Sequence, residues 1–191
     1  MNTSLYSYKN MLAVTNRTLC RGYFLAQLEK LAKLDFAAII LREKDLTAAE
    51  YEKLARAALS ICTRYNMPLF LHSHIQIARA LGVKNIHMPL ELLVKNSGRL
   101  NDFSEVSTAI HAVSEVKIAE AAGATRLIVG HIFETDCKKG LAPRGLDFLQ
   151  AVVSAANVPV YAIGGINENN LAEVLQTGAA GGCTMSGAMR L

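Results

Sequence analysis

Eight short apolar segments recur along the chain, and nothing else in the sequence limits the possible folds so strongly. They fall at residues 11–14, 36–41, 68–71, 85–88, 103–106, 126–129, 158–163 and 182–185. Most are rich in β-branched residues and apolar throughout, the pattern of strands covered on both faces, which occur in parallel sheets. Between them run stretches with helical apolar spacing, at 24–33, 48–65, 75–81, 114–122, 146–156 and 169–176. Strands alternating with helices specify an α/β architecture. Eight units predict a (β/α)8 TIM barrel, compact because only 191 residues are available. A doubly wound open sheet is the alternative. The eighth segment is followed only by Ser186-Gly-Ala-Met-Arg-Leu191, so the final helix is expected to be truncated or missing. No linker or low-complexity stretch interrupts the pattern, and residues 1–191 are read as a single domain.

Composition narrows the class. At 51% hydrophobic residues and a mean hydropathy of +0.23 the chain is neither disordered nor fibrous. No apolar run approaches the ~20 residues of a transmembrane helix. The N-terminal MNTSLYSYKN carries no basic segment followed by an apolar stretch, so no secretory signal is read and a cytoplasmic location is expected. Four cysteines without C-x-x-C spacing suit reduced thiols better than a disulfide frame or a zinc site. Twenty basic residues are interleaved with 16 acidic ones for a net charge of +4. With no basic stripe and no helix-turn-helix pattern, nucleic acid is not an expected partner. Local cationic clusters still suit a small anionic ligand.

In such a barrel the chemistry gathers where the loops leave the C-terminal ends of the strands. The glycine pair of "VYAIGGINENN", Gly164 and Gly165, is read as a turn opening a helix. With Met185, Ser186 and Gly187 of "TMSG" it predicts a phosphate site between loops seven and eight. In "LREKDL" alternation turns Arg42 and Lys44 the same way, toward an anion. A solvated cluster with Glu43 and Asp45 is the competing reading. "GHIFETDCKKGLAPRG" places His131 at a strand end with Thr135 and Lys138 in the same loop, a good position for a general base or acid. Cys137 beside Lys138 and Lys139 is a thiol open to activation but without an identifiable histidine partner. His87, flanked by apolar residues, is assigned to the core of strand four. His72, His74 and His111 lack a carboxylate or cysteine at ligand spacing, so no metal is expected.

"LREKDL", "VYAIGGIN" and "MSGAM" resemble thiamine phosphate synthase and its relatives from the first strand to the end. Within that superfamily the loop at 130–145 is most similar to that of the thiazole tautomerases, the TenI-type proteins. The synthases carry an Asn-Asp pair after strand three, an aspartate in a G-Q-x-D-like turn after strand four, and a serine after strand five. Here those places hold His72-Ser73, Pro89-Leu90-Glu91-Leu92 and Ala109. The resemblance implies an isomerase that converts a non-aromatic thiazole carboxylate phosphate into its aromatic tautomer, without cofactor. It makes His131 the proton carrier. Gly164, Gly165, Met185, Ser186 and Gly187 would hold the phosphate, and Arg42, Lys44, Thr135 and Lys138 would surround the rest. A thiamine phosphate synthase, or a non-catalytic ligand-binding regulator, is the alternative. A homodimer is expected if a short last helix leaves strands one and eight partly bare.

Overall fold

Side chains two apart on a strand face the same side, and on these strands that rule sorts residues into two apolar clusters. One contains Leu12, Val14, Ala38, Ile40, Phe70, Ile128, Tyr161 and Cys183; the other gathers the intervening strand residues and the helix faces packed on them. Two separate faces, both buried, are what a closed sheet ringed by helices requires. The computed structural model describes residues 7–138 and 140–191. The first six residues of the segment read as lacking a signal, and Lys139, lie outside them.

The strands β1 (Met11–Val14), β2 (Ala38–Leu41), β3 (Leu69–His72), β4 (Asn85–Pro89), β5 (Glu105–Ile110), β6 (Arg126–Gly130), β7 (Val160–Ile163) and β8 (Gly181–Thr184) are parallel and close in sequence order. Closure is made by β1 on β8, with Leu12 opposite Cys183. The open sheet is thereby ruled out. Helices α1 (Phe24–Ala32), α2 (Ala48–Arg64), α3 (Ile75–Ala80), α4 (Leu90–Lys95), α5 (Glu115–Ala121), α6 (Gly145–Ala155), α7 (Leu171–Gln176) and α8 (Ser186–Arg190) follow the strands. Among the described residues no helix is long and apolar enough to cross a membrane.

The final helix is short, as expected, yet the reason given for a dimer does not hold. Met11 to Val14 and Cys183 are all buried within the chain. A Cβ on Gly182 would press on Ile166 and Leu171, so β8 is covered from the loop after β7 and from α7. Strand five is also displaced from its expected place at 103–106. The real β5 carries Ser107 and Thr108, both fully buried, and so does not read as apolar. Thr108 Oγ1 donates to the Met88 carbonyl at 2.8 Å, and Ser107 Oγ meets His87 Nδ1 at 2.9 Å. Hydrogen bonds make these hydroxyls compatible with the interior. Phe103, taken for strand, packs in the preceding loop, and α4 was not anticipated at all.

At the N-terminal end of the barrel Arg126 spans the interior. Its guanidinium lies 5.0 Å from the ring centres of both Phe70 and Tyr161 and pairs with Glu105 at 2.6 Å. That end is plugged, which leaves the opposite end as the way in.

Candidate active site

The alternation that fills the barrel continues to the strand ends and just beyond, and there it brings Arg42 and His72 as well as Gly130 and Met185 to the inner side. Beyond Ile40 comes Arg42, beyond Phe70 His72, beyond Ile128 Gly130, and beyond Cys183 Met185. These residues line one cavity of about 1270 Å³ at the C-terminal mouth. Lys44, His87, His131, Thr135, Lys138, Gly164, Gly165, Ser186 and Gly187 line it as well. Every residue singled out from the sequence for substrate or catalysis therefore reaches the same space.

Loop two is shaped by its acids. Glu43, 2% exposed, accepts from Thr15 Oγ1 at 2.6 Å and from the Arg17 amide at 2.9 Å. Thr15 Oγ1 in turn accepts from the Arg42 amide at 3.0 Å. Asp45 pairs with Arg17 at 2.6 Å. The acids thus bind Arg17, not Arg42 or Lys44, and the solvated-cluster reading is corrected: the two cations stand free of carboxylates among the described residues. The Lys44 ammonium is held below its ordinary pKa by partial burial and by Arg42 and Lys138 nearby. Three cations from loops two and six therefore converge, the arrangement an anionic ligand group would relieve.

Tyr51 of α2 fixes the floor of this side. Its hydroxyl donates to the Leu41 carbonyl at 2.7 Å and accepts from the His72 amide at 2.9 Å, clamping the ends of β2 and β3. The helix is started for this by a capping box of Thr47 and Glu50. Burial, with Arg42 and Lys44 close by, pushes His72 down to about 4. His87, buried beside His72 with ring centres 5.5 Å apart, is pushed down to about 3. His87 is buried as expected, but it faces the cavity and Ser107 and does not serve as an apolar cap. Sequence reading missed Tyr51 and took Glu43 only as a member of a solvated cluster. A buried tyrosine in a helix and an acid between two bases carry no local signal of their partners.

On the other side, the chain after β6 and the turn after β7 are built against each other. Gly164 and Gly165 have φ of +99° and +69°. A Cβ on Gly164 would collide with Cβ of His131, and one on Gly165 would lie 2.8 Å from Phe133 Cβ. Their lack of side chains admits loop six. The pair does not open a helix, as the sequence had suggested: α7 begins only at Leu171. The Gly165 carbonyl accepts from Asn170 Nδ2 at 2.9 Å and from Asn167 Nδ2 at 3.1 Å, which holds the turn. Ser186 and Gly187 do open α8, so their amides have no intrahelical acceptor.

His131 sits at the wall, half-buried, with the Gly130–His131 peptide bond cis. Its Nε2 lies 3.2 Å from the Leu141 carbonyl oxygen. Cys137 is exposed on the same loop. Among the described residues no group of three or more histidine, cysteine or acidic side chains is placed to hold a metal.

The model of the thiamine monophosphate synthase family matches residues 11–188. The chain belongs to that family. Its members are enzymes of thiamine biosynthesis. A thiamine-phosphate synthase of Clostridium novyi (strain NT) is 34% identical over 182 residues, covering 92% of this chain and 87% of the relative. That of Clostridium tetani (strain Massachusetts / E88) is 30% identical over 171 residues, covering 88% and 82%. The solved thiamine phosphate pyrophosphorylase from Pyrococcus furiosus has the same fold, with a TM-score of 0.83 at 24% identity over 96% of this chain and 88% of that one.

Proposed function

We propose that this family member is a thiazole tautomerase, taking a thiazole that bears a carboxylate and a phosphate. One observation carries the reading: a histidine stands at the cavity wall between a glycine-rich side and a side where Arg42, Lys44 and Lys138 converge. A ligand with two separated anionic groups would be held at both ends with its ring beside His131. The reaction removes a proton from ring carbon C2. That C–H electron pair moves through the ring, and a proton is added at the exocyclic carbon, so atoms and electrons balance without a redox partner. Histidine suits both transfers because it exchanges protons near neutral pH. Arg42, Lys44 and Lys138 would stabilise charge that develops as C2 is deprotonated. The phosphate would lie by Gly164, Gly165, Met185, Ser186 and Gly187.

Coupling of a pyrimidine pyrophosphate to the thiazole is the second reading, favoured by the names of the relatives. The synthases resembled here use magnesium, a hard cation that prefers oxygen ligands. The corresponding places here hold His72-Ser73 and Pro89-Leu90-Glu91-Leu92, of which Glu91 is the one carboxylate and lines the cavity, and His72 is neutral and close to Arg42 and Lys44. One carboxylate beside a neutral imidazole and two cations is a poor oxygen set for magnesium. The test is to follow aromatisation of freshly made thiazole tautomer by absorbance, and to assay coupling in parallel with both phosphates and magnesium. Acceleration of the first with no coupling is expected. Coupling at enzymatic rates would replace the tautomerase reading.

A further inference from the structure

We infer that His131 works through Nδ1, and that the backbone carbonyl of Leu141 holds the ring in the tautomer this requires. The inference rests on the proposed proton transfer and names the atom that performs it. A carbonyl oxygen only accepts, so the ring nitrogen 3.2 Å from it must carry the proton. A neutral imidazole has one N–H. With that proton on Nε2, the lone pair is on Nδ1, which has no partner among the described residues. The free basic nitrogen of a cavity-lining histidine is thereby assigned.

The loop is built to return that carbonyl to the ring. Lys138 N donates to the Thr135 carbonyl at 3.0 Å and Leu141 N to the Lys138 carbonyl at 3.1 Å. The far end is pinned where Arg144 N donates to the His131 carbonyl at 3.0 Å and Gly145 N to that of Ile132 at 3.1 Å. Gly164 backs the other side of the residue, with no room for a side chain of its own. The neighbouring histidines show that this is a choice. His111 sets Nδ1 against the Gly130 carbonyl at 3.3 Å, which fixes the opposite tautomer. His87 sets Nδ1 against a serine hydroxyl, which donates or accepts and so fixes none.

In the reaction the C2 proton passes to Nδ1, and the electron pair it leaves enters the ring. Nε2 keeps its proton on Leu141, and the bond strengthens as the imidazole becomes cationic. Nδ1 then gives its proton to the exocyclic carbon. The carbonyl is a positioning group, in the place that an orienting third group takes beside other catalytic bases.

Two measurements test this. Long-range 1H–15N correlation on ligand-free protein at pH 8, with His131 assigned by its loss in His131→Asn, should show a protonated Nε2 and a bare Nδ1; the reverse pattern overturns the inference. Replacing His131 by Nδ1-methylhistidine should then lower kcat by on the order of 10²–10⁴-fold. Nε2-methylhistidine, which loses the Leu141 bond but keeps a basic Nδ1, should lose far less. The opposite ranking overturns the inference. Absence of turnover in the unmodified protein would overturn the tautomerase reading instead, and the spectrum would still decide the tautomer.

Discussion

His131 and the pair His72 and His87 face the same cavity from strands two and three apart in the barrel, and the protein treats them differently. His131 follows β6 in a loop, half-exposed, with a backbone carbonyl on one ring nitrogen. His72 and His87 lie on β3 and β4, each 8% exposed, with serine hydroxyls on Nδ1 and cations nearby. Burial and positive neighbours keep the second pair neutral at any ordinary pH. Such groups can hydrogen-bond a ligand but do not cycle protons near pH 7. Side-chain type alone therefore does not mark the proton carrier. Its environment does.

The sharpest way to break this contrast is to remove each kind in turn. His131→Asn should lower kcat for aromatisation by on the order of 10²–10⁴-fold with KM little changed, because an amide fills similar space without exchanging protons. His87→Gln should act mainly on KM. Steady-state kinetics of the two variants decide it. Equal losses of kcat would erase the division of labour.

The second effect is on stability. His72 and His87 in the folded protein are held at about 4 and about 3, below the ordinary histidine value of 6.5. As pH falls from about 6.5 the unfolded chain binds protons that the folded one refuses, so stability drops with decreasing pH down to those values. Above pH 6.5 both states are neutral and the contribution is fully present. By pH 5.5 the loss should be about 3 kcal/mol for the two together. Urea unfolding at pH 7.5 and pH 5.5 should show a flatter dependence in His87→Gln than in wild type.

The contrast also explains which parts of the molecule were legible in sequence. Strand count and order followed from apolar runs, and the continued alternation past Ile40 correctly turned Arg42 inward. Strand five failed because Ser107 and Thr108 are buried by virtue of partners on β4, invisible in their own segment. That His87 faces the cavity, and that His72 stands beside it, was missed for the same reason. Their setting is made by Tyr51, Ser107 and loop two, which are distant in the chain. The loop around His131 was read more fully because its partners, Leu141 and Arg144, lie within the same stretch. Gly164 and Gly165 were read as a turn opening a helix; the turn is there, but no helix follows directly, and what demands glycine is the body of loop six.

That packing yields a smaller effect confined to the β6 side. Gly164→Ala places a methyl against Cβ of His131 at a φ of +99°, so the loop must shift. A stability cost of about 1–3 kcal/mol is expected from overpacking, together with a fall in kcat as Nδ1 is displaced. Gly178→Ala, with only Val153 Cγ1 nearby at 3.2 Å and a φ of +85°, separates conformational strain from displacement of His131. If both variants lose kcat equally, the packing of Gly164 on His131 has no role in the chemistry.

The smallest effect concerns the cations that join the two sides. Lys44 rises from loop two, beside the His72 and His87 pair, and Lys138 from loop six; each contributes to the other's positive surroundings. If they meet one ligand anion together, Lys44→Met and Lys138→Met should each weaken product binding by roughly 5–10-fold, with a shallower salt dependence, as for an exposed charge pair. The double variant should then fall short of the product of the single effects, because removing one cation relieves the repulsion on the other. Lys44→Met should also raise the pKa of His72, since the ammonium is one of the charges holding it down. Calorimetric titration at two salt concentrations measures the binding, and imidazole chemical shifts across pH measure the histidine. Strictly multiplicative affinities together with an unmoved His72 would mean that the two lysines act on separate parts of the cavity, and that the His131 side and the His72 side do not share a ligand group.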